Sequence, residues 1–107
     1  MDKTSDVLLK KRFYTYTIFS LKDEKFYTGY TIDLKRRLQE HANGLSKATR
    51  FRRPFLLIHY EYFINETDAK ARERFLKSGF GRNNMKKALQ RTFIEIKNRL
   101  TFIRKMD

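Results

Sequence analysis

The chain has no cysteine among its 107 residues. That excludes disulfides and every cysteine-based zinc site, and two histidines alone make a poor zinc site. No apolar run approaches membrane-spanning length, and the N-terminus lacks the apolar core of a secretory signal. Internal repeats and low-complexity tracts are absent as well. Acid is scarce: 12 Asp+Glu stand against 25 Lys+Arg, a formal net charge of +13. Such an excess opposes compaction and points to a polyanionic partner. It is not a tail, because residues 1–54 hold 13 of the basic residues and residues 55–107 the other 12. The folded body itself is therefore basic. These features predict a soluble cytoplasmic protein with a nucleic-acid partner and no membrane partner.

What is present is enough for one small core. The apolar fraction is 40%, with 10 Phe and 6 Tyr. At this length a second domain would lack a core of its own. A single domain is expected over 13–107, after a flexible polar segment over 1–12. Phe13 to Phe19 is rich in aromatic and β-branched residues and reads as a strand. The polar turn Lys22-Asp23-Glu24-Lys25 leads to a second strand, Phe26 to Thr31. So short a connection makes the pair an antiparallel hairpin. Asp33 can cap a helix running to about Ala42, which Asn43-Gly44 ends. A basic loop with Lys47, Arg50, Arg52 and Arg53 follows, then a third strand from Phe55 to Phe63. Asn65 caps a helix from Glu66 to Lys77, with Gly79 as its stop. Met85, Leu89, Phe93, Ile96, Leu100 and Ile103 recur at steps of three and four, which predicts one long helix from about Asn84 to Arg104. The expected class is α/β, of the α+β kind: a three-stranded antiparallel sheet flanked by helices, in the order β-β-α-β-α-α.

Two tyrosine triplets stand out on the hairpin, Tyr14-Thr15-Tyr16 and Tyr27-Thr28-Gly29. With Tyr30 to Leu38, Arg53-Pro54-Phe55 with Tyr60-Glu61, and Ala69-Lys70-Ala71-Arg72-Glu73 with Leu76-Lys77-Ser78-Gly79, they form an ordered set. This set resembles the GIY-YIG nuclease domain, and more narrowly the small stand-alone bacterial proteins of that superfamily. The resemblance covers roughly Phe13 to Leu89. Tyr14 stands where the motif has glycine, and Thr15 and Thr28 replace isoleucines. Tyr30 stands where some members have lysine.

The resemblance implies a metal-dependent endonuclease that hydrolyses a phosphodiester, of DNA in the first place, in one step. It implies Mg²⁺ or Mn²⁺ held by Glu73, water attacking near Tyr16 and Tyr27, and Arg37 bracing the phosphoryl oxygens. The residues themselves carry bland readings too. A tyrosine in a strand is commonly a core residue with a wet hydroxyl, and Tyr14, Tyr60 and Tyr62 are read so. Arg36 reads as a solvated face, whereas Arg37 sits beside Leu38, near the buried edge. From there its fork suits a phosphate oxygen. Glu73 has a bland reading as a helix glutamate paired with Lys70 or Lys77; as the only acid between Asp68 and Glu95 it also suits a hard cation shared with substrate phosphate. Tyr30 and His41 are auxiliary candidates: His41 either touches phosphate or serves the helix end. His59 reads as a plain strand residue. Lys47, Arg50, Arg52, Arg53, Arg82, Lys86 and Lys87 are the expected phosphate-backbone contacts, supplying affinity and little sequence choice. Two other classes stay open. One is a non-catalytic basic module that binds nucleic acid on the same fold; the other is a subunit targeted by a partner. The apolar stripe of the last helix packs on the domain or forms the seam of a weak homodimer.

Overall fold

The computed structural model describes residues 11–106, so most of the N-terminal segment expected to be flexible lies outside the described residues. The chain divides into two compact units, one ending at Arg74 and the other beginning at Phe75.

The first unit is built on β1 (Phe13–Ser20), which lies between β2 (Phe26–Thr31) and β3 (Phe55–Phe63) and is antiparallel to both. All six residues from Thr15 to Ser20 are buried, so the central strand is covered on both faces. Its buried threonine and serine hydroxyls are all satisfied. Thr15 donates to the Ala69 carbonyl at 2.7 Å, Thr17 pairs with the Thr28 hydroxyl at 3.0 Å, and Ser20 donates to the Arg52 carbonyl at 2.6 Å. Between Thr17 and Ile18 the register with β3 slips: Thr17 faces His59 but Ile18 faces Leu57. This is a bulge at Ile58.

Helix α1 (Leu34–Ala42) begins as its sequence predicts, with the Asp33 carboxylate accepting from the Arg36 amide at 3.1 Å. It ends at Asn43, and Gly44 takes a φ of +75°, a left-handed turn that suits glycine. A side chain at Gly44 would also meet the Arg53 guanidinium, which reaches across to the Ala42 carbonyl at 3.3 Å. A cation on the last carbonyls of a helix is favourable. Helix α2 (Glu66–Lys77) follows β3, with the Asn65 side chain accepting from the Thr67 amide. The expected third strand and both first helices thus stand where the sequence put them.

Tyr60 and Tyr62 are 51% and 56% exposed, so the core reading of these two is corrected. They sit on the outer strand, where residue alternation cannot say whether a face is covered.

In the second unit two expectations change. Gly79 is not a loop stop but the first residue of a new helix, α3 (Gly79–Ala88), capped by Ser78, whose hydroxyl accepts from the Gly81 amide at 3.1 Å. Gly81 is needed because a Cβ there would come 1.8 Å from the Phe75 carbonyl oxygen. The long helix expected over 84–104 is two helices, α3 and α4 (Gln90–Met106), parted at Leu89, whose φ is −109° and ψ 25°. The Leu89 amide still reaches Met85 and the Phe93 amide reaches Leu89, so the bonds on either side of the break are kept. The apolar periodicity of the sequence runs straight through it. Of that stripe Met85 and Ile96 are buried, while Ile103 is exposed. Among the described residues no helix is long and apolar enough to cross a membrane.

Candidate active site around Tyr16 and His41

Pairing of β1 with β2 sets Tyr16 opposite Gly29 and Ile18 opposite Tyr27. Both tyrosines therefore leave the same face of the sheet. A Cβ at Gly29 would come 2.4 Å from the Tyr16 hydroxyl. The Tyr16 ring thus lies over the backbone of β2, and the second triplet ends in glycine to let it. Tyr16 and His41 are each 1% exposed. His41, in the last turn of α1, places Nε2 2.7 Å from the Tyr16 hydroxyl and Nδ1 2.7 Å from the Thr49 hydroxyl. The rings of Tyr16, Tyr27 and Phe55 meet the imidazole edge-on, at centroid distances of 5.6, 5.5 and 6.2 Å.

This chain of contacts admits two arrangements of the His41 proton. Either Thr49 donates to Nδ1 and Nε2–H donates to the Tyr16 oxygen, or Tyr16 donates to Nε2 and Nδ1–H donates to the Thr49 oxygen. Both hydroxyls are buried, so each arrangement leaves one of them, Tyr16 in the first and Thr49 in the second, with its proton to place elsewhere. Burial, with help from the Arg37 charge, pushes the His41 pKa down to about 4, so the ring is neutral at pH 7. Burial also pushes Tyr16 up to about 12; Arg37 opposes that shift, while Tyr27 and Glu73 add to it. Tyr16 thus keeps its proton at neutral pH. In the arrangement where its oxygen receives from His41, its own O–H is left to donate into the site.

Arg37 is half-buried and sits close enough to Tyr16 to lower its pKa. Its well-formed contacts go to the Glu40 carboxylate at 3.1 Å and the Ser46 hydroxyl at 3.4 Å. Glu73 lies on α2, and its charge reaches both Tyr16 and Tyr30. Of the two lysines open to Glu73 as helix partners, Lys70 pairs with Glu66 at 3.8 Å. Tyr30 donates its hydroxyl to Glu66, and Lys70 lies 5.3 Å from the centre of its ring. Burial and the Glu66 carboxylate push Tyr30 up to about 12. Among the described residues no three His, Asp or Glu side chains gather as a metal cage. The donors here are a single carboxylate and phenols, all oxygen. Such a set fits a hard cation that keeps several waters and takes further ligands from a phosphate.

His41 has both ring nitrogens engaged, by Tyr16 and Thr49, which leaves neither for the phosphate contact expected as one of its two roles. His59 pairs with Glu61 at 3.3 Å, and Arg36 is exposed, as expected. The basic loop is more divided than its composition suggested. Arg52 is bound to Asp23 at 2.5 Å and pulls that carboxyl down to about 2. Arg53 is spent on the carbonyls of Arg50 and Ala42. Lys47 and Arg50 are exposed. In the second unit, Arg82 donates to the Lys77 carbonyl, while Lys86 and Lys87 are exposed in the last turn of α3. Thr49 and Asp23 are the residues that sequence reasoning passed over. A threonine or an aspartate in a polar loop carries no signal of its own.

Residues 12–88 match the GIY-YIG catalytic domain family. A UPF0213 protein of Clostridium perfringens is 43% identical over 65 residues, 60% of this chain and 69% of that one. One from Haloquadratum walsbyi is 46% identical over 66 residues, 61% of this chain and 73% of its own. One from Pediococcus acidilactici is 40% identical over 77 residues, 69% and 78% of the two chains. Among solved structures, the solution NMR structure of a UPF0213 protein from Bacillus halodurans is 35% identical. It covers 69% of this chain and 81% of its own, with a TM-score of 0.45. The family match spans the triplets, Arg37, His41 and Glu73 together, and the chain belongs to the GIY-YIG catalytic domain family, a nuclease superfamily.

Proposed function

We propose that this chain is a metal-dependent endonuclease that hydrolyses phosphodiester bonds in nucleic acid, DNA in the first place. The observation that carries the reading is the meeting of Tyr16, Tyr27 and His41, under the charges of Arg37 and Glu73, on one face of a basic sheet unit. Glu73 would hold Mg²⁺ or Mn²⁺, which when bound supplies positive charge at the phosphate and acidifies water. Arg37 turns its guanidinium to a phosphoryl oxygen, exchanging part of its contact with Ser46 for a charged partner. Tyr16, held protonated, donates its O–H to the attacking water or a phosphate oxygen and so orients the line of attack. A neutral phenol is no base at pH 7, so the attacking water gives its proton to a phosphate oxygen as the new P–O bond forms and the P–O bond to the leaving oxygen breaks. His41 aims Tyr16 through the 2.7 Å contact of Nε2 with its hydroxyl, and this reading takes Nε2–H as the donor. Lys47 and Arg50 supply sequence-independent affinity.

The test is a panel of labelled single-stranded, duplex and branched DNA and RNA, incubated with and without Mg²⁺ or Mn²⁺. Cleavage that needs the metal is expected. Glu73→Gln should abolish it while binding stays within about twofold, since affinity comes from cations elsewhere. Undiminished cleavage by that variant would remove the metal-ligand role. A second reading, a basic module that binds without cutting, draws on one observation: Arg37 is already engaged by Glu40 and Ser46. Binding without cleavage under every metal condition would select it.

A further inference from the structure

A cavity of about 610 Å³ opens beside the site and shares His41 with it. Ile18, Leu57 and Phe55 give it apolar lining, and Phe51, 72% exposed, lines it as well. Lys22, Arg50 and Arg53 also line it. Phe51 is not a loose side chain on a loop. Its backbone carbonyl accepts from the Lys22 ammonium at 2.9 Å, it sits in a short 3₁₀ turn over Arg50–Arg52, and the Arg50 guanidinium lies 4.8 Å from its ring centre. One face of a ring is thus backed by a cation while the residue as a whole stays open to solvent.

Apolar walls with cations beside them match one occupant in a +13 chain, a planar apolar group carried between negative charges. We infer that this cavity takes a single unstacked base of a nucleic-acid strand, which stacks on Phe51 while its flanking phosphates meet Lys22 and Arg50. The inference rests on the proposal that the chain handles nucleic acid, and it narrows the substrate. A base in an intact duplex lies inside the stack and cannot reach a side-chain ring without being extruded. The favoured substrates are therefore strands with unpaired bases: single strands, flaps or mismatched sites.

The chain contains no tryptophan, so Phe51→Trp installs a unique fluorophore at the cavity wall. Titrations in EDTA exclude metal and cleavage. A single-stranded DNA oligonucleotide should quench this tryptophan strongly. An abasic strand of equal length and charge should bind, by anisotropy of an end label, without quenching. Free deoxynucleoside monophosphate at the same concentration should leave the signal unchanged. With otherwise wild-type protein, Phe51→Ala should lose roughly 5- to 150-fold in affinity for the base-bearing strand, the range for one stacked base, and little for the abasic strand. Equal quenching by both strands, or binding with no quenching by either, would overturn the inference. So would quenching by the free nucleotide at the strand's concentration, which would make the cavity a mononucleotide site. Cleavage plays no part in these readings. A failed nuclease assay therefore leaves the inference standing, and failed quenching leaves the proposed hydrolysis standing.

Discussion

Thr49 has no chemistry of its own, yet it decides what His41 can do. Thr49→Val keeps the shape and removes the hydroxyl, leaving Nδ1 without its partner in a buried place. The variant should lose about 1–3 kcal/mol in chemical denaturation. Nitrogen NMR should show the His41 proton on Nε2 in the parent and a changed tautomer ratio in the variant; only two histidines need assigning. The same imidazole predicts an acid response. His41 has a pKa near 6.5 when free and about 4 in the fold, where Tyr16, Tyr27, Arg37 and Glu40 surround it. The unfolded chain therefore takes up the proton first as pH falls. Stability from this group is complete above pH 6.5 and lost progressively toward pH 4, on the order of 3 kcal/mol in all. Comparing melting curves from pH 7.5 to 4.5 for the parent and His41→Asn isolates it, since the variant should lack this slope. Gly29→Ala tests the other side of the site. The new methyl group would collide with a phenol that is itself pinned by His41. A loss of about 1–3 kcal/mol is expected, with cleavage falling further than stability, as melting curves read beside turnover would show. At this scale the sequence revealed which residue types could matter. It could not reveal the Tyr16–His41–Thr49 chain, because that chain joins a strand, a helix end and a loop.

The elements were largely legible for a plain reason: each of the three strands and the first two helices carries its own start or stop. Asp33, Asn65 and Asn43-Gly44 all act as their sequence suggests. The failures have two causes. Ser78 is a cap residue of the same kind as Asp33, but Gly79 beside it reads as a stop; Leu89 parts two helices without interrupting apolar periodicity, so no local signal marks it. The loop between α1 and β3 shows a different limit, since charge count and free charge are not the same. Arg52 clasps the hairpin turn through Asp23, and Arg53 caps α1. Four cations in this loop would shift the salt dependence of duplex binding by roughly 3 to 4 units if all met phosphate. With Arg52 and Arg53 occupied, Lys47→Ala with Arg50→Ala should flatten the slope of log affinity against log salt by about 2. Arg52→Ala should instead show up mainly as lower stability, by up to about 1 kcal/mol for a surface pair. Titrations at several salt concentrations separate the two.

Across the whole molecule, charge and sheet topology act against each other. β1 is central, and among the described residues no strand pairs with the outer side of β3. That strand reads Phe55-Leu56-Leu57-Ile58-His59-Tyr60-Glu61-Tyr62-Phe63, with Leu56, Tyr60 and Tyr62 all more than 40% exposed. Open backbone and apolar side chains of this kind invite a second copy to dock strand to strand. Within β3, Glu61 is the one acidic residue and His59 the one other ionisable group besides the tyrosines, so little charge guards it locally. The guard is global, the mutual repulsion of chains at +13. Salt shortens the reach of that repulsion to about 3 Å at 1 M. Concentrated protein should therefore scatter more light as salt rises, and Tyr60→Lys should suppress the rise. Scattering that stays flat from low to high salt would show that something other than charge keeps this strand solitary. The same surplus of lysine and arginine that draws in a nucleic acid thus also acts as a colloidal stabiliser, and a bound polyanion that neutralises it takes that protection away.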